Sequence, residues 1–339
     1  MKSKIRNLDG LRVYWAVIII LSHFCNVYGT LFRIPAFLLR GHYAAEGFFV
    51  LSGFLLYRIH GTDYSDGSPI RRGLSLFTRN FRRFFPVSFV TMIPFAVQVI
   101  LQGGWTLKYT VIALMNVLMV QNWIPGKDFS MNGVAWFLSS LMFIYLFTPF
   151  LFRVITRQGK KISPAVRIPV LVLTACGVLS AGQFFPLLYK EPLYALLGPF
   201  LLGVTLADLV TSAKWEPHTK ELWPLAATVL LTGYLFSPPM FALLYDAVVS
   251  AAVILLLYLS REAAPFSGAV LRRLSAGSFH TLMLHYPLCA LLFGSWLGKG
   301  THTFTATLTV LTALVLLSFA LGTAWQAAEQ AVRLRSKTG

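Results

Sequence analysis

The sequence predicts an all-α integral membrane protein of about ten transmembrane helices, with N- and C-termini cytoplasmic. Three observations carry this. Hydrophobic residues make up 56% of the 339 and charged residues 12%, against about 25% charged in soluble domains. The apolar stretches approach the roughly 20 residues a membrane helix needs and lack the alternation of a barrel strand. The basic residues behind the net charge of +17 gather in alternate loops. With the N-terminus inside, only Arg33, Arg40, Lys108, Lys127, Lys190 and Lys299 of the 29 lysines and arginines fall outside, a strong positive-inside bias. Charge distributed this way reports membrane orientation and argues against a nucleic-acid partner.

Spans are expected at 13–29, 44–60, 84–102, 134–155, 167–188, 191–210, 222–237, 240–259, 276–298 and 303–325. The stretch 109–123 is apolar but short, which suits an interfacial or re-entrant segment. The first span has the basic start of a signal peptide, but no small-residue cleavage site follows, so it is expected to be retained. Cys25, Cys176 and Cys289 all lie within spans, as ordinary packing residues do. Their spacing suits no zinc site, and no metal is expected. One transmembrane domain is expected over 1–339, with no separate soluble domain and no inverted repeats of the kind found in transporters. The longest loops are 60–83, which carries GTDYSDGSP and then RRGLSLFTRNFRRFFP, and 103–133. Residues from about 160 to 270 are mostly Leu, Ala, Val and Phe and read as scaffold with few buried charges.

His23 is the residue that most needs a reason, because ionisable groups in hydrocarbon are costly and usually functional. It follows Arg12 by eleven positions in LDGLRVYWAVIIILSHF. Eleven residues of helix leave only about 20° of rotation and rise roughly 16 Å. Arg12 at the membrane edge and His23 near its middle therefore share a face. Arg12 alone is equally a topology anchor, and His23 alone could be a hydrogen-bonded packing residue. A neutral imidazole is also the usual base toward a hydroxyl.

Glu46, in GHYAAEGFFVLSGFLLYR, is either solvated at the interface or orients an imidazole as the acid of a triad does. Ser52 joins Gly47 and Gly53 in a small-residue face for close helix contact. Arg58 stands at the inner end of the same span. Arg71, Arg72, Arg79, Arg82 and Arg83 form a basic run. Such a run either touches anionic lipid or clamps phosphate, whose oxygens match the guanidinium fork. His285 lies about mid-span in SFHTLMLHYPL; His280, closer to the cytoplasm, reads as structural. Trp136 opens the fourth span, a common place for interfacial tryptophan.

Taken in order, these blocks resemble the membrane acyltransferase family 3, O-acyltransferases that modify sugars at the cell envelope. The LDGLR run with Arg12 and His23 matches the family's opening pair. Glu46, Phe48, Phe49, Ser52 and Gly53 match its acid-FFVLSGFL block. Arg83 with Pro86, then Trp136, Tyr145 and Pro149, and finally His285 with Pro287, match the later ones. The blocks cover 6–150 and 275–290; between them only hydropathy and span number agree. Leu141 stands where many members carry glutamate, Asn80 where an arginine is expected, and Leu282 where a tyrosine is expected. The extracytoplasmic hydrolase-like domain of many relatives is not expected here, so the chain acts alone or with a separate extracytoplasmic partner.

The resemblance implies acyl-CoA, most often acetyl-CoA, as donor from the cytoplasm. It implies a phosphate clamp of Arg12, Arg58, Arg79, Arg82 and Arg83. His23 is implied as general base or acyl carrier, Glu46 as its orienting acid and His285 as an aid to proton transfer, with Ser52 and Trp136 near the site. The acceptor implied is a hydroxyl of an extracytoplasmic glycan or lipid-linked sugar, at the cytoplasmic membrane. Two other classes use the same residues. A carrier exporting a polysaccharide or small solute would use His23 and Glu46 as a proton relay. A scaffold or sensor binding membrane lipid through its basic loops leaves the Arg12–His23 register without a purpose.

Overall fold

The computed structural model describes residues 5–338 apart from 29–34, 62–66, 160, 186–187, 189, 218 and 294–302. Among the described residues the chain is helical and has no strand. The longer elements are α1 Asn7–Tyr28, α2 Gly41–His60, α3 Pro69–Leu101, α4 Leu107–Val117, α5 Ala135–Gly159 and α6 Pro164–Phe184. They continue as α7 Pro192–Ser212, α8 Trp223–Leu235, α9 Ala242–Leu259, α10 Ala269–Pro287 and α11 Phe304–Thr338. Residue 29 of the first expected span, 186–187 of the fifth, 294–298 of the ninth, most of GTDYSDGSP, and Arg33 and Lys299 lie outside the described residues.

A helix stands at each of the ten expected spans. Seven of them, α1, α3, α5, α6, α7, α9 and α11, are long and apolar enough to cross a membrane. The other three fall on α2, α8 and α10. α2 carries Glu46 and Arg58, and α10 opens with Arg272 and Arg273. α8 has 13 residues, about 20 Å of helix. Helix α4 has 11 residues, about 16 Å, too short to span a hydrocarbon core of about 30 Å.

Helix α2 sits at the centre. Every residue from Tyr43 to Leu51 is buried, and this run is apolar all round except at Glu46, the pattern of an enclosed helix. It packs against α1, α7 and α9. A Cβ at Gly53 would collide with the Phe200 carbonyl, and one at Gly203 with that of Val50. Glycine on each side thus brings the α2 and α7 backbones together. Gly47 is held against the Trp15 ring in the same way. Two π-helical turns interrupt the regular pattern, Leu196–Phe200 around Pro199 and Leu288–Phe293 after Pro287. A proline removes the amide donor that an unbroken helix needs. On the outside, α11 presents Leu308, Leu316 and Leu321, as a lipid-facing helix does.

The second half holds more buried charge than its composition suggests. Arg167 Nε and Nη2 reach Asp208 Oδ2 and Oδ1 at 2.8 and 3.0 Å, a two-pronged bond between α6 and α7. Asp246 on α9 pairs with Arg40, which precedes α2. Paired and hydrogen-bonded, such charges can be taken out of solvent. Their partners lie far away in the chain, so the scaffold expectation for 160–270 missed them.

Candidate active site

Two cavities lie along α1. One, of about 270 Å³, adjoins its C-terminal half and is lined by His23, His42, Trp136, Lys190 and His285. The other, of about 310 Å³, adjoins its N-terminal end and is lined by Asp9, Arg12, Ser52, Arg83, Tyr145 and Arg272. Phe48, Phe137, Phe279 and Leu282 line both. The cavities therefore share an apolar wall, with a histidine cluster on one side and three arginines on the other. The helical register that sets Arg12 and His23 on one face puts one of them into each cavity.

His23 Nδ1 lies 3.0 Å from His285 Nε2, and His285 Nδ1 lies 2.8 Å from the Leu282 carbonyl. A carbonyl only accepts, so His285 Nδ1 donates to it. Neutral His285 then has a lone pair on Nε2, and His23 Nδ1 donates into that lone pair. With Nδ1 as the donor, the lone pair of neutral His23 lies on Nε2; the Ile19 carbonyl, one turn back on α1, also lies within hydrogen-bonding range of the ring. Tyr286 packs edge-on to the His23 ring at 5.5 Å and limits its rotation. A buried imidazole fixed in one tautomer, with a basic nitrogen, is equipped to take up a proton or attack a carbonyl.

The expected acid is elsewhere. Glu46 is buried, and its Oε1 accepts from the Tyr194 hydroxyl at 3.0 Å. No imidazole is hydrogen-bonded to it, and its Oε2 has no partner among the described residues. The side chain hydrogen-bonded to His23 is His285, 262 positions away, whereas Glu46 is bonded to Tyr194.

The expected five-arginine clamp is not gathered in one place. Arg12 and Arg83 line the basic cavity. Arg58 instead packs on the Tyr258 ring at 5.0 Å. Arg79 is exposed on α3, and Arg82 lines a separate groove with Arg333. Arg82 and Arg83 follow Arg79 by three and four positions and so lie with it on one side of α3, but of these only Arg83 lines the basic cavity. Arg272, not among the arginines the sequence singles out, also lines this cavity. Asp9 was missed too; its Oδ1 accepts from Arg12 Nη1 at 3.1 Å and so aims the guanidinium.

Ser52 Oγ donates to the Phe48 carbonyl at 2.7 Å, its own helix one turn back, while lining the basic cavity. Trp136 is buried. It walls the histidine cavity with Lys190 Nζ 5.8 Å from its ring centre. Of the three departures from the resemblance, Leu141 and Leu282 line the basic cavity and Asn80 does not. His280 lies 3.3 Å from Glu329 Oε1 and away from both cavities.

A family model described as an acyltransferase domain matches residues 5–324, which include the lining of both cavities. The chain belongs to acyltransferase family 3. No curated protein and no solved structure matches it. As a member of acyltransferase family 3 it is a multi-pass membrane acyltransferase, and it requires an acyl donor and an acceptor. Among the described residues no cluster of three or more His, Cys, Asp or Glu could hold a metal ion.

Proposed function

We propose that this acyltransferase moves an acyl group, acetyl in the first instance, from acyl-CoA on the cytoplasmic side to a hydroxyl of an extracytoplasmic glycan or lipid-linked sugar. One observation carries the reading: a basic cavity and a histidine cavity share one wall along α1. Arg12, Arg83 and Arg272 supply charge-assisted donors for the phosphates of coenzyme A. The pantetheine arm is long enough for the roughly 16 Å of helix between Arg12 and His23, and its thioester then meets the Nε2 lone pair of His23. That lone pair serves either as base toward the acceptor hydroxyl or as temporary carrier of the acyl group. The excess of basic residues in alternate loops supports a cytoplasmic side for the termini and for the arginine cavity. The acceptor approaches from the opposite side, presented by membrane lipid or by a separate extracytoplasmic partner.

The test is acetylation of envelope glycans in cells that carry wild type, His23→Ala or Arg12→Ala, each confirmed in the membrane. Both variants are expected to abolish gene-dependent acetyl ester. Wild-type acetylation by either would remove the reading.

A further inference from the structure

The histidine cavity contains a third imidazole, beside His23 and His285, that the reading above does not use. His42 lines it, with a side chain 32% exposed. Its Nδ1 lies 2.6 Å from Oδ2 of Asp246, a fully buried carboxylate. Asp246 is itself held through its other oxygen by Arg40. The same Arg40 donates from Nη1 to the Gly233 and Tyr234 carbonyls at 2.8 and 2.6 Å. The guanidinium is thus fixed on three acceptors, and the carboxylate cannot swing away from the imidazole. Facing a carboxylate, His42 Nδ1 is the donor, so Nε2 of the neutral ring carries the lone pair. No group among the described residues bonds to that nitrogen. A carboxylate that fixes the tautomer of a cavity-lining histidine is the arrangement of a general base.

The preceding residue ties this base to the first. The Gly41 amide donates to Ser22 Oγ at 2.9 Å, and Ser22 neighbours His23 in α1. A Cβ on Gly41 would crowd that same Ser22 side chain. The chain ahead of His42 is therefore bonded to the helix that carries His23.

We propose that the Asp246–His42 pair is the acceptor-side base, which assigns His23 to the acyl group itself. The proposal rests on the acyl-CoA reading above. His23 Nε2 attacks the thioester carbonyl carbon; an N–C bond forms, the C–S bond breaks, and coenzyme A leaves as thiolate. The acceptor oxygen then attacks the acyl carbon and passes its proton to His42 Nε2. The C–O bond forms and the N–C bond breaks, returning the lone pair to His23. His42 gives its proton to the outer solvent, and the thiolate takes one from the inner side. His42 would touch the acceptor; Asp246 and Arg40 are positioning residues.

The experiment compares acyl acceptors that need a base with one that does not, using purified full-length protein and acetyl-CoA. Water and methanol need their hydroxyl proton removed; hydroxylamine attacks without help. Thiol release, methyl acetate and acetohydroxamate are measured above protein-free blanks. In His42→Gln the ratio of hydroxyl to hydroxylamine transfer is expected to fall about a hundredfold, the scale of a general base. Asp246→Asn should lower the same ratio, and His23→Ala should abolish transfer to all three. Should Asp246→Asn fail to fold, His42→Gln decides alone. An unchanged ratio in His42→Gln overturns the proposal and leaves the hydroxyl proton to His23. A wild type that acylates hydroxylamine but neither water nor methanol overturns it as well. A wild type no faster than His23→Ala with any acceptor overturns the acyl-CoA reading itself, and this proposal with it.

Discussion

His23 Nδ1 stands 3.0 Å from His285 Nε2, so one imidazole serves as the hydrogen-bond acceptor that fixes the other. In most histidine sites a carboxylate does this. A neutral ring fixes the tautomer without placing a negative charge in a buried setting, where an uncompensated ion is costly.

Replacing His285 should therefore separate orientation from charge. His285→Gln keeps an amide oxygen able to accept from His23 Nδ1, whereas His285→Leu keeps only the volume. Both should insert and fold. His285→Leu is expected to lose about a hundredfold or more in acyl transfer, the scale of a lost acid–base contribution, and His285→Gln about tenfold less than that. Single-turnover acetyl-CoA consumption measures the difference; equal losses would mean that His285 acts by something other than accepting this bond.

Glu46 gives the opposite expectation. Its Oε1 accepts from the Tyr194 hydroxyl, and glutamine can accept that bond equally well. Glu46→Gln should keep acyl transfer within about threefold of wild type, since a neutral hydrogen bond replaces a similar one. Glu46→Ala should instead lower the thermal midpoint by removing this buried hydrogen bond and opening a cavity in its place. A catalytic loss in Glu46→Gln as large as that in His23→Ala would restore the acid–imidazole role.

The different fates of these two residues show what the sequence could and could not convey. The period of α1 is local information, and it put Arg12 and His23 on one face before any fold was known. Span positions were legible for the same reason, because each depends on a contiguous apolar run. The partners of His23, Glu46 and Asp246 lie 262, 148 and 206 positions away, and no periodicity reports such distances. Arg272 was legible only as charge, since a basic residue at a helix end looks the same whether it faces lipid headgroups or a cavity. The apolar run around Asp246, LLYDAVVS, did hold a signal: a lone carboxylate in a span asks for a partner.

Donor binding should map onto cavity residues and not onto the linear run of arginines. Arg12→Ala, Arg83→Ala and Arg272→Ala are each expected to weaken coenzyme A by about ten- to a hundredfold, the range of one charged hydrogen bond. Arg58→Ala, whose guanidinium packs on Tyr258, should change affinity by less than about twofold. Thermal shift against coenzyme A concentration reads this, because a ligand at about a hundred times Kd stabilises by roughly 2.7 kcal/mol. A clamp made of Arg58, Arg79 and Arg82 would reverse the order.

The Arg167–Asp208 pair lies outside both cavities and should govern stability alone. Removing one partner leaves a buried charge unmatched, a cost of about 3–5 kcal/mol. Asp208→Ala is thus expected to lower the unfolding midpoint in detergent sharply, while molecules that remain folded keep their specific activity. Arg167→Met combined with Asp208→Leu removes both charges at similar volume and should recover most of the loss, as apolar replacement of buried pairs does. The single variants Arg167→Met and Asp208→Leu, the double variant and the wild type form a cycle. Its coupling term should be large and favourable to the double variant, because in each single variant the cost comes from the charge left behind. Additive losses would mean that α6 and α7 are held by packing, with the ion pair contributing little.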